Sequence, residues 1–81
     1  MDTYNLYRRI EANIPAEYIA FQEGNKLIRV YDNTGEAFEA KSALLEILNM
    51  GSATSIGHGP LYDFEDHRHS TLIKVVSEAI R

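Results

Sequence analysis

Between Tyr18 and Ala40, two glycines separate three runs rich in aromatic and β-branched residues: YIAFQE, KLIRVY and EAFEA. A two-residue hairpin loop at Gly24-Asn25 needs positive φ, which glycine adopts freely and asparagine tolerates. With that loop, Phe21 faces Ile28 and Ile19 faces Val30 on one side of the sheet. Tyr18 with Tyr31, Ala20 with Arg29 and Gln22 with Leu27 fall on the other. At Asp32-Asn33-Thr34-Gly35, a type I turn with Gly35 in the left-handed region pairs Val30 with Phe38, Ile28 with Ala40 and Arg29 with Glu39. A two-residue loop at Asn33-Thr34 would instead set Phe38 opposite Arg29 and demand positive φ of the β-branched Thr34. Both turns select the alignment that collects Ile19, Phe21, Ile28, Val30, Phe38 and Ala40 on one face. A one-residue slip would scatter them. That face is the expected core.

The flanking segments read as helices. Asp2 or Thr3 can cap a first helix in which Leu6, Tyr7, Ile10 and Ile14 lie near one stripe, with Arg8 and Arg9 toward its C-terminal half and Pro15 as its end. The competing reading has Asn13 capping a helix through Pro15 that stops at Gly24, and it sacrifices the agreement of the two hairpins. Ser42 caps a short helix over 43–50, closed by Gly51, with Leu44, Leu45, Ile47 and Leu48 giving it a wide apolar surface. Leu72, Ile73, Val76, Ala79 and Ile80 recur at helical spacing and predict a C-terminal helix over 70–80. Residues 51–66 are long for an irregular connection. They hold either a short strand, at Ile56 or over 61–64, or a functional loop. The expected architecture is therefore a single small α+β domain over 1–81: an N-terminal helix, a three-stranded antiparallel meander over 17–40, a short middle helix and a C-terminal helix, in the order α-β-β-β-α-α.

Composition bounds the function. Leu, Ile, Val and Phe total 21 of 81 residues, enough for a core, though a domain of this size hides only part of its surface. The absence of cysteine excludes a disulfide framework, a zinc–thiolate centre and a cysteine nucleophile. No apolar run reaches the length of a membrane span and no basic-then-apolar leader opens the chain, so a soluble, cytoplasmic protein is expected. The net charge of −4 does not favour a phosphate-binding surface.

Four residues of the second sheet face, Tyr18, Leu27, Arg29 and Tyr31, make the candidate protein-binding site. Tyrosine and arginine anchor interfaces, and a solvated sheet face is ordinarily more polar than this one. A helix folded over that face is the competing explanation. The same tyrosines could stack the bases of a single-stranded nucleic acid, but Glu23, Asp32, Glu36 and Glu39 on those strands would repel phosphate. His58, His67 and His69, with Asp63, Glu65 and Asp66, have the chemistry of a divalent-metal site without the spacing of a known one; solvated residues at an acidic helix N-terminus are the favoured explanation. His58 within Gly57-His58-Gly59-Pro60 lacks the orienting partner that an acid or base needs. These features predict a non-enzymatic domain without a cofactor that binds another protein, as adaptor, accessory or inhibitor, or a second copy of itself.

Overall fold

The computed structural model describes residues 2–49, 53–66 and 71–79. Its centre is a five-stranded antiparallel sheet in the order β4-β3-β2-β1-β5. The strands are β1 (Thr3–Glu11), β2 (Ile14–Glu23), β3 (Lys26–Asp32), β4 (Ala37–Phe38) and β5 (Thr54–Pro60). Helix α1 (Ala40–Asn49) follows β4, and a 3-10 helix (Leu61–Asp66) and helix α2 (Thr71–Ala79) follow β5. The expected N-terminal helix does not form, and the three-stranded meander is the inner part of a larger sheet.

Residues 3–11 pair with β2 from Thr3↔Gln22 to Glu11↔Ile14. The physical reason is the partition of side chains that a strand allows. Tyr4 and Leu6 enter the core on one face, while Tyr7 packs on the other. A helix would have buried only one stripe. The connecting turn, Ala12-Asn13, has φ of 47° and 67°, the double positive φ of a type I′ hairpin. Alanine bears a steric cost there of about 1–2 kcal/mol. Replacing the pair by Asn-Gly (Ala12→Asn, Asn13→Gly) is expected to stabilise the fold by about 1 kcal/mol. A thermal melt should then rise by about 4–8 °C. A lower melting temperature would show that the hairpin tolerates some other turn.

Both glycine turns of the meander form as the letters predict. Gly24 has a φ of 55° in a two-residue loop that leaves Glu23↔Lys26 and Gln22↔Leu27 paired. Gly35 has a φ of 86°, and Val30↔Phe38 are partners. The alignment beyond the first turn differs. A bulge at Ile28 breaks the ladder between Gln22↔Leu27 and Phe21↔Arg29, so Ile19 faces Tyr31 and Ala20 faces Val30. Because side chains alternate, one extra residue exchanges the faces of everything after it. The expected core set is thereby divided, and Ile28 is only half-buried. β4 ends at Phe38 and Ala40 opens α1, so neither the Ile28–Ala40 nor the Arg29–Glu39 ladder pair forms.

Each face of the sheet carries a helix, giving three layers. On one face Tyr4, Leu6, Ile19, Phe21 and Tyr31 pack against Phe64 of the 3-10 helix and Leu72, Ile73 and Val76 of α2. Aromatic rings organise this core. Phe21 meets Phe64 at 5.1 Å and Tyr31 at 5.8 Å between centroids, and Tyr4 meets Phe64 at 5.5 Å, all edge-on. Burial, with the nearby Asp63 carboxylate, raises the Tyr4 hydroxyl above its ordinary pKa. On the other face Ala20, Val30 and Ile47 form a smaller core that Tyr7, Tyr18, Leu27, Ala40, Leu44 and Ala53 complete. α1 starts three residues before the expected 43, and residue 50 lies outside the described residues. The C-terminal helix occupies 71–79 of the expected 70–80, whose end residues also lie outside them.

Candidate functional site

The four residues expected to form one docking face are split between two. Tyr18 and Leu27 are half-buried in the core beneath α1. Tyr31 is 4% exposed within the opposite core, where its hydroxyl accepts a 3.0 Å hydrogen bond from Nη1 of the exposed Arg29. The bulge at Ile28 causes this separation. With Tyr31 buried and Tyr18 covered, the stacking platform expected for nucleic acid is not assembled either.

The described metal candidates are divided between two elements. His58 lies on β5, while Asp63, Glu65 and Asp66 lie on the 3-10 helix. His67 and His69 fall outside the described residues. Among the described residues no three His, Asp or Glu side chains gather closely enough to hold a cation.

What the sequence reading missed is at the other end of the sheet. β5 pairs with β1 only as far as Arg8↔Thr54, and β3 pairs with β2 only from Tyr18 onward. Among the described residues, 9–11 and 14–16 therefore pair only with each other, and the β1–β2 ribbon overhangs both neighbours. Ile10 is 55% and Ile14 68% exposed on this overhang. The strand pairing puts Ile10 and Pro15 on one face and Ile14 on the other. Arg8 donates to Glu17 at 2.7 Å across the ribbon. Where β5 begins, the overhang leaves a notch of about 290 Å³ lined by Arg8, Arg9, Ile10, Thr54 and Ile56. The sequence signal was available in the alternation of Tyr4, Leu6 and Ile10, but the spacing of Leu6, Tyr7, Ile10 and Ile14 fits a helix equally well.

The two edges of the sheet differ in chemistry. At one edge β4 has two residues, and the uncovered part of β3 carries Lys26, Arg29 and the Ile28 bulge. These are the features that discourage strand addition. At the other edge β5, TSIGHGP, has seven residues and no Asp, Glu, Lys or Arg. Its departure from regularity is a bulge at Ile56, opposite the Leu6–Tyr7 step.

Comparison with protein families, with curated proteins and with solved structures finds no match in any of the three. Among the described residues no helix is long and apolar enough to cross a membrane.

Proposed function

We propose that this chain is a non-enzymatic protein-binding domain, an adaptor, accessory or inhibitor, and that the overhanging β1–β2 ribbon makes the contact. One observation carries this reading: two isoleucines stand exposed on opposite faces of a ribbon that, among the described residues, has no neighbouring strand on either side. Isolated exposed apolar residues are ordinary on protein surfaces. Here they coincide with unpaired strand edges, so a partner gains apolar area and main-chain hydrogen bonds from the same few residues. Burying one isoleucine contributes about 1.5–3 kcal/mol. The lack of cysteine supports placement in the cytoplasm, since nothing in the fold depends on an oxidising compartment.

The test uses the wild-type chain and Ile14→Asp as baits in extract of the native cells. Ile14 is too exposed for the substitution to disturb folding. A protein held by the wild type and depleted at least about tenfold on Ile14→Asp is expected, as for a central apolar anchor. Equal retention by the two baits, or none by either, removes the ribbon as the contact.

A further inference from the structure

The geometry points to a second copy of this chain as the occupant of the β5 edge, two β5 strands pairing antiparallel about a two-fold axis to make one ten-stranded sheet. This concerns the β5 edge and the Ile10 face of the ribbon, and it stands whether or not Ile14, on the ribbon's other face, binds another protein. Three observations converge on it. First, β5 is the long edge without charged side chains, whereas the β3–β4 edge is guarded. Second, a strand paired antiparallel with its own copy is self-complementary, as a two-fold interface requires. Full overlap of Thr54–Pro60 with itself places the axis near Gly57. The start of one β5 then adjoins the end of the other.

Third, the two ends of β5 are complementary. Beside Thr54 is the notch with Arg8, Arg9, Ile10 and Ile56. Arg8 is paired with Glu17, yet its side chain remains 50% exposed while that of Glu17 is only 12% exposed. The corner therefore presents guanidinium to solvent. After Pro60 comes the acidic 3-10 helix, with Tyr62 84% exposed and Asp66 also exposed. Antiparallel partners keep the same face of a continuous sheet. The 3-10 helix, packed on the α2 side through Phe64, is thus on the side of the other copy's Arg8 and Ile10. Self-pairing sets the tyrosine and carboxylates of each copy toward Arg8 and Ile10 of the other, twice over. An unrelated extended peptide could use the backbone edge but would not supply this matched pair of ends.

Sedimentation equilibrium as a function of concentration tests the pairing. The wild type is expected to pass from 9.2 kDa to twice that mass, with a dissociation constant that rises with salt. Ile56→Lys, at a residue 39% exposed, places a charge on the edge and is expected to weaken the dimer at least about tenfold with unchanged circular dichroism. Arg8→Glu should weaken it too, and adding Asp66→Lys to that variant should restore it, because the swap rebuilds attraction at both symmetric contacts. A wild type monomeric up to about 1 mM overturns the proposal. So does a dimer indifferent to Ile56→Lys, or one that Arg8→Glu weakens and Asp66→Lys fails to restore. A monomer that still captures a protein through Ile14 would overturn this inference and leave the ribbon reading intact.

Discussion

Phe21→Ala is expected to remove about 3–5 kcal/mol of stability. Phe21 is fully buried, and its ring contacts both Phe64 and Tyr31, so it joins the 3-10 helix to β3 through the sheet. Truncation loses the transfer free energy of the ring and leaves a cavity between elements that can close it only by moving apart from their other partners. A chain of 81 residues has a total stability of about 4–12 kcal/mol. The loss is then about a quarter of that or more, and the melting temperature should fall by about 12–40 °C. Ile28→Ala is the decisive comparison. In the alignment read from the letters, Ile28 faces Phe21 in the core and the two truncations should cost alike. In the bulged strand Ile28 is half-buried and outside both core clusters, so its truncation is expected to cost about 1 kcal/mol or less. Equal losses, measured by urea or thermal unfolding, would overturn the bulge and with it the assignment of faces.

The contrast shows which parts of the fold local chemistry encodes. Gly24 and Gly35 are readable because positive φ is a local demand with few solutions. The bulge at Ile28 is not readable, because a β-branched isoleucine satisfies either alignment until the cores on the two faces are known. Tyr18, Leu27, Arg29 and Tyr31 do not share a face because one inserted residue sent Arg29 and Tyr31 to the other side. β5 was obscured differently. Gly57 and Gly59 give no alternation to detect, since their partners fill the space that their side chains would occupy. A Cβ on Gly57 would lie 3.3 Å from Leu6 Cδ1, and one on Gly59 3.3 Å from the Tyr4 hydroxyl. Glycines that read as loop chemistry are here the small halves of the cross-strand pairs Leu6↔Gly57 and Tyr4↔Gly59. The interaction surfaces inherit both difficulties. The overhang exists only because β1 and β2 outlast their neighbours, and strand ends are set by the whole sheet rather than by any one segment.

Gly35→Ala is expected to cost about 2–4 kcal/mol, from two separable sources. The backbone there has a φ of 86°, where an L side chain is strained. The turn has little freedom to relax. The Gly35 amide donates to the Asp32 carbonyl at 3.1 Å, and Asp32 Oδ1 accepts from the Thr34 amide at 2.9 Å, the Thr34 hydroxyl at 2.6 Å and the Glu36 amide at 3.2 Å. The second source is packing, because the new Cβ would lie 3.2 Å from Ala79 Cβ and 3.3 Å from Val75 Cγ1. Gly35 is thus a seat for the end of α2 as well as a turn residue. A double-mutant cycle separates the sources. Val75→Ala removes one of the two crowding groups, so Gly35→Ala should cost about 1 kcal/mol less in that background than in the wild type. Simple additivity would assign the whole loss to the backbone, and a single-mutant loss below about 0.5 kcal/mol would contradict both sources. If the coupling is found, the turn between β3 and β4 and the Val75–Ala79 turn of α2 are one packing unit, and the glycine that fixes the hairpin also seats the covering helix.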